Sequence, residues 1–149
     1  MQLNAILATL AAAGAASAAA IQPRQATYYT VSNFTASCIP HSVMCSYGFD
    51  VVSESSTFPT NCSAFLQGPD RLPAVPATPC DNTAYTWSAT PSDSDGLTLR
   101  VSVPFNSRTN ITGIYTIPAD QFVIEQNGAS SSQRYTGPAE FKLPVTGES

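Results

Sequence analysis

The sequence is poor in ionisable side chains. Charged residues make up 11% of its 149 residues and there is one histidine, whereas soluble domains carry about 25% charged residues. Six basic residues against ten acidic ones give a net charge of −4. This balance argues against a nucleic-acid partner or an anionic membrane surface, because both are bound through clustered Lys and Arg. With so little acid–base or metal-ligating material, we predict a non-enzymatic protein with no catalytic residue, metal site or cofactor.

The sequence also lacks a long, strongly apolar run that would span a membrane. Residues 1–20 are instead uncharged and rich in alanine, with a short apolar stretch at Ile6, Leu7 and Leu10. The small residues that follow end in Ala18-Ala19-Ala20. This layout is typical of a secretory signal peptide and predicts a secreted, extracellular protein. A short pro-segment that ends at Arg24 is an alternative start, and residues 25–149 form one predicted domain.

Four cysteines lie in the predicted mature domain: Cys38, Cys45, Cys62 and Cys80. An even number in a small exported chain predicts two disulfides, and sequence alone allows three pairings. We favour Cys38 with Cys45 and Cys62 with Cys80, because sequential pairing closes the shortest loops. No cysteine is then left over to form a covalent dimer. The spacings contain no C-x-x-C pair, which argues against a zinc site.

Three asparagines begin an N-x-[ST] sequon and are glycosylation candidates: Asn33, Asn61 and Asn110. The pattern is short, so each match carries little weight in a chain this rich in Ser and Thr. Asn110 follows a polar turn and is the best candidate. Asn61 adjoins a bridging cysteine and is the poorest.

Apolar residues alternate with polar ones through most of the mature chain, as strands require. The clearest run places Leu97, Leu99, Val101, Val103 and Phe105 on one face. Similar sets occur around Tyr29, Phe49, Trp87 and Leu143, and near residues 114–117 and 122–124. Clusters of turn residues separate them at residues 53–61, 68–79, 90–96, 106–110 and 127–132. We therefore predict an all-β fold, either a compact antiparallel barrel or a two-layer sandwich of about eight strands. Residues 69–79 are rich in proline and are predicted to be a loop.

Several residues that could support other chemistry have a plainer interpretation. His41 is the one candidate for a catalytic base, with Asp50 or Asp70 to orient it, but no G-x-S-x-G motif supplies a nucleophile. The segment Asp93-Ser94-Asp95-Gly96 resembles the start of a calcium loop, yet the distal acidic ligand is missing and a hairpin turn fits better. Two further sets keep a small glycosidase or ribonuclease as an alternative: the carboxylates Asp50, Glu54, Asp120, Glu125 and Glu140, and the cations Arg71, Arg100 and Arg108. A recognition patch is the remaining alternative for four tyrosines: Tyr28, Tyr29, Tyr115 and Tyr135.

A family resemblance appears around the cysteines. It rests on the segments from Tyr29 to Phe34, Pro40-His41-Ser42, Cys45 to Val51, Cys62-Ser63-Ala64 with Cys80, Trp87 with Leu97-Thr98-Leu99, and Ile117-Pro118. Together they resemble the secreted fungal proteins that include the major Alternaria allergen and elicitors of the plant hypersensitive response. The resemblance covers roughly residues 28–118. It implies a β-barrel and supports pairing Cys62 with Cys80. The chain lacks the late cysteine pair and the unpaired cysteine of the allergen branch, so a disulfide-linked dimer is not expected.

The resemblance further implies an effector or elicitor that binds a plant extracellular defence protein or a small phenolic ligand. From the sequence we expect the loops at residues 38–45 and 69–79 to form the recognition face. A cell-wall or carbohydrate-binding protein is a further alternative, although Trp87 is the one residue of the usual sugar-stacking type.

Overall fold

The computed structural model describes residues 28–68, 71–92 and 96–148. The predicted signal peptide and pro-segment, and residues 93–95 of the calcium-like turn, lie outside the described residues. Ten strands and one short 3-10 helix (η1, Ala119–Gln121) make up this part of the chain. The strands are β1 (Tyr28–Cys38), β2 (Met44–Ser53), β3 (Thr60–Gln67), β4 (Val75–Pro79), β5 (Thr86–Ser92), β6 (Gly96–Pro104), β7 (Asn110–Ile117), β8 (Phe122–Asn127), β9 (Ser130–Tyr135) and β10 (Phe141–Glu148).

Eight of the strands form a nearly closed antiparallel barrel in the order β3-β2-β1-β10-β7-β6-β5-β4. The prediction of an all-β barrel is confirmed. The other two strands, β8 and β9, form a hairpin that adjoins the barrel where Arg134 pairs with Ser37 of β1. Among the described residues, no helix is long and apolar enough to cross a membrane.

Strand alternation fills the inside of the barrel with side chains. Inward positions of β2 and β5 bring Tyr47, Phe49 and Trp87 together, and the Trp87 ring lies edge-on to the Phe49 ring with centroids 5.1 Å apart. Leu97, Leu99 and Val101 of β6 are equally buried, and Val103 is partly buried. Burial of this apolar surface is the main force that holds the two sides of the barrel together. The interior is a packed core rather than a lumen.

The seam of the barrel lies between β3 and β4, the edge strands of the sheet, which form no ladder with each other over their described residues. A disulfide joins Cys62 of β3 to Cys80, the residue after β4, across this seam. Beside it, the Asp81 N–H donates to the Asn61 carbonyl at 2.9 Å. The second disulfide, Cys38–Cys45, joins directly opposite residues of β1 and β2. Both predicted pairings are confirmed.

Two strands lie where the sequence predicts a loop or a turn, and a third strand, β3, is not predicted by it. The prediction of a loop over the whole of residues 69–79 is wrong, because Val75–Pro79 forms β4. Proline is tolerated there because β4 is an edge strand. β9 overlaps a predicted turn because its sequence is polar. β3 is not predicted because Ala64, Phe65 and Leu66 follow one another without alternation of apolar and polar residues. Phe105 does not continue the inner face of β6, because the strand ends at Pro104 and Phe105 is 50% exposed in the turn.

Candidate functional site

One end of the barrel is covered by the β8–β9 hairpin, and we call it the hairpin end. The hairpin is held there by its two inward aromatic residues, Phe122 and Tyr135, whose rings lie 5.4 Å apart. The Tyr135 ring also stands edge-on to Phe34 of β1 with a centroid distance of 4.9 Å. Its hydroxyl donates to the Pro138 carbonyl at 2.6 Å. These contacts fix the inner face of the hairpin above the mouth of the barrel.

A cavity of about 280 Å³ opens between this hairpin and the barrel. Its volume lies near the lower end of small-molecule sites, which span about 300–1,000 Å³. Its wall is mixed, with slightly more polar than apolar surface, and three of its side chains carry hydrogen-bonding groups: Arg71, Ser92 and Gln133. The lining residues are Arg71, Leu72, Pro91, Ser92, Gly96, Ala119, Phe122, Ile124 and Gln133.

Two local features shape the wall. The Leu72 N–H donates to Oε1 of Gln133 at 2.8 Å, which ties the segment after β3 to the hairpin and fixes the Gln133 amide. Gly96 has a φ of 81°, and a Cβ there would lie 1.9 Å from the Ile117 carbonyl oxygen. Glycine therefore lets the segment after β7 lie against β6, which brings Ala119 into the wall.

Arg71 supplies the positive charge of the cavity. Its side chain is exposed, and it forms no ion pair with a carboxylate of the described residues. On the outer face of the hairpin, by contrast, Arg134 is paired with Glu125. A mixed wall that combines apolar side chains with one guanidinium and one fixed amide suits a small ligand with an apolar part and a hydrogen-bond-accepting or anionic group.

The structure does not assemble the catalytic group considered for His41. His41 lies exposed in the β1–β2 turn with a φ of 60°, and its Nδ1 is 3.2 Å from Oγ of Ser130. Asp70, the alternative orienting group, lies outside the described residues. Within the described ranges, no group of three or more His, Cys, Asp or Glu side chains is placed to hold a metal ion.

Asp50 is engaged elsewhere, on the outer surface of the barrel. Its two carboxylate oxygens accept hydrogen bonds from the amide nitrogens of Asn33, at 3.0 Å, and Asn61, at 3.1 Å. These bonds, first that of Asn33 and then that of Asn61, lower the pKa of Asp50. The carboxylate is therefore held in its ionised form as a structural acceptor. Two of the three sequon asparagines thus meet at one side chain, whereas Asn110 lies exposed at the start of β7.

The four tyrosines do not form one recognition patch. Tyr29 and Tyr135 belong to the core, while Tyr115 stacks on Phe141 and Tyr28 lies under the ammonium of Lys142. Burial, followed by the nearby Tyr85, raises the pKa of Tyr29 to about 12. Burial also raises the pKa of Tyr47, whose hydroxyl donates to the Pro73 carbonyl at 2.8 Å. These hydroxyls are neutral structural donors at physiological pH.

Sequence reasoning identified part of this site. The segment that contains Arg71 and Leu72 falls inside the predicted recognition loop, and Phe122 and Ile124 lie on a predicted strand. Gln133 was missed because the polar strand β9 has no apolar alternation that would have revealed it.

No protein-family model matches the chain, and no curated protein matches it. Since a β-barrel supports many unrelated functions, the function must be argued from the site itself.

Proposed function

We propose that the chain is a secreted, non-enzymatic binding protein of the effector or elicitor type. Two disulfides and a packed barrel are compatible with a protein that works outside the cell. The partner classes that we propose are a plant extracellular defence protein or a small phenolic ligand, and both rest on the family resemblance of the segments around the cysteines.

The cavity at the hairpin end is the observation that carries this proposal. The barrel interior is filled by Trp87, Phe49 and their neighbours, so a ligand has to bind at the surface. The cavity offers the apolar side chains of Leu72, Phe122 and Ile124, the guanidinium of Arg71 and the amide of Gln133. A phenol or phenolate matches this set, because its ring packs on apolar side chains while its oxygen accepts a hydrogen bond from the guanidinium.

A titration of the mature protein with a panel of small phenols tests this site. Calorimetry and NMR shift mapping should place the ligand at Leu72, Phe122 and Gln133. We expect Arg71→Ala to weaken binding about tenfold, which corresponds to loss of one charge-assisted hydrogen bond. Arg108→Ala is the matched control, because Arg108 lies exposed in the β6–β7 turn and should leave affinity unchanged. Shifts confined to another surface, or equal effects of the two variants, would rule out the cavity.

Leaf infiltration tests the biological part of the proposal. Native protein should trigger a defence response that reduced and alkylated protein does not, and affinity capture from apoplastic fluid should retain a host protein. Native protein that elicits nothing in several hosts and retains no host protein would contradict the elicitor proposal. Degradation of polysaccharide or RNA that His41→Ala abolishes would establish the hydrolase alternative instead.

A further inference from the structure

The second half of β3 is an open strand edge. The Asn61 carbonyl accepts from Asp81 on the side away from β2, whereas the Gly68 N–H donates to Val43 on the side of β2. Backbone groups of successive residues in a strand point to opposite sides. The N–H and C=O groups of Ser63, Phe65 and Gln67 therefore point into the seam, where no ladder with another described strand satisfies them.

The seam widens above the disulfide, and its two edges differ. β3 and β4 are joined at Cys62–Cys80 and then splay apart. On the β4 side, Pro79 has no N–H, and the register shifts between Val75 and Thr78, the two features by which edge strands commonly resist pairing. β3 contains no proline and no charged residue. Only one of the two edges is thus protected against strand addition.

The outer face of β3 is apolar at the centre of this open edge. Phe65 is 63% exposed. It lies opposite Ser46 of β2, and its neighbours on the same face are Ser63 and Gln67. No side chain of β3 is charged, so two β3 strands that approach each other place no like charges opposite each other within the strand.

We propose that β3 pairs with β3 of a second copy of this chain, antiparallel and about a two-fold axis at Phe65. This register places Phe65 opposite Phe65 of the second copy and each Ser63 opposite a Gln67. This register pairs all three open residues of each copy. The ladder ends at these residues because the Asn61 carbonyl already accepts from Asp81 and the Gly68 N–H already donates to Val43. The contact is isologous, so it closes as a dimer and does not extend into a fibre. No disulfide takes part.

The contact is short, and we expect a weak, reversible dimer. Stable interfaces bury about 1,200–2,000 Å², more than a ladder of three residues on each side supplies. A dissociation constant on the order of 10–100 μM is the corresponding expectation.

Sedimentation velocity between about 5 μM and about 1 mM tests the dimer. The wild-type protein should shift from monomer to dimer, and Phe65→Lys should raise the dissociation constant at least about tenfold by placing two ammonium groups opposite each other. Phe58→Lys is the matched control, since Phe58 is 82% exposed outside the strands. A wild-type protein that stays monomeric throughout, a dimer that survives Phe65→Lys, or a dimer that both variants abolish would overturn the proposal.

Residue-resolved hydrogen exchange gives a second test that does not depend on a variant. The amides of Ser63, Phe65 and Gln67 should exchange quickly in dilute protein and slow down as the concentration rises. The amides of Cys62, Ala64 and Leu66 pair with β2 and should be protected at both concentrations. Equal rates at Ser63, Phe65 and Gln67 in dilute and concentrated samples would contradict the β3 contact, even if a dimer forms elsewhere.

Discussion

Asn33 has two tasks on the outer face of the barrel. It occupies the bulge of β1 with a φ of 55°, a conformation that asparagine tolerates better than most residues. Its amide also donates to Asp50. The backbone and the side chain of one residue thus support the same irregularity, and the two contributions can be separated by substitution.

We expect Asn33→Gly to raise the pKa of Asp50 towards its ordinary value, because it removes the larger of the two stabilising hydrogen bonds but keeps the positive φ. Asn33→Ala should have the same effect on the pKa and cost about 1–2 kcal/mol more stability through backbone strain. The folded-state pKa of Asp50 is lowered, so this bond contributes stability above the unfolded carboxyl pKa and loses it as pH falls through the folded value. NMR titration and urea unfolding of both variants measure the two effects. Equal stability of the two variants would contradict the strain argument.

The same cluster bears on glycosylation. Both hydrogens of the Asn61 amide are used, one to the Phe49 carbonyl at 3.3 Å and one to Asp50 at 3.1 Å. A glycan would replace one of these hydrogens, whereas Asn110 is exposed at the start of its strand. In a eukaryotic secretory host we therefore expect occupancy at Asn110 and none at Asn61, as measured by site-resolved mass spectrometry. A glycan on Asn61 in folded protein would contradict this expectation and show that the hydrogen bonds of Asn61 to Phe49 and Asp50 can be broken.

At the scale of elements, the entry into β6 depends on glycine more than the entry into β9 does. Gly96 and Gly128 both have positive φ, at 81° and 70°. A Cβ at Gly96 would collide with the Ile117 carbonyl, but one at Gly128 would meet open space. Gly128→Ala should cost about 1 kcal/mol from the backbone alone, and Gly96→Ala at least about 3 kcal/mol. Chemical unfolding measures the stability of the two variants. Similar losses of stability in Gly96→Ala and Gly128→Ala would mean that the contact between β6 and the segment after β7 adjusts freely.

How far each element could be predicted depended on how much apolar surface it buries. β1, β2, β5, β6 and β10 carry an apolar face in their own sequence and were identified by alternation. β3, β4 and β9 lack an alternating apolar face and are stabilised by ladders with β2, β5 and β8. A backbone ladder leaves no such pattern in the sequence. The cavity could be predicted only in part for the same reason, since Gln133 comes from the polar strand β9.

At the scale of the whole molecule, the two disulfides stabilise different things. Cys38–Cys45 lies within a hairpin that its own ladder already holds, whereas Cys62–Cys80 joins the two edges of the barrel. Their sequence separations of 7 and 18 residues correspond to about 2 and about 3 kcal/mol of unfolded-state entropy. We expect Cys62→Ala/Cys80→Ala to lower stability more than Cys38→Ala/Cys45→Ala. Thermal unfolding of the two double variants decides the order, and a larger loss in the hairpin pair would contradict it.

The pairing of β1 with β10 also sets a condition on how the protein is made. Tyr29 and Leu143 face each other in the ladder, so the earliest described strand finds its partner only after more than a hundred further residues have been synthesised. Until then, the apolar face of β1 and the unpaired edge of its sheet are open to other chains, as they are in any fold dominated by distant contacts. The barrel therefore closes late, after β10 has been synthesised. A ribosome stalled before β10 should hold a chain that a protease digests, and release of the full chain should confer resistance.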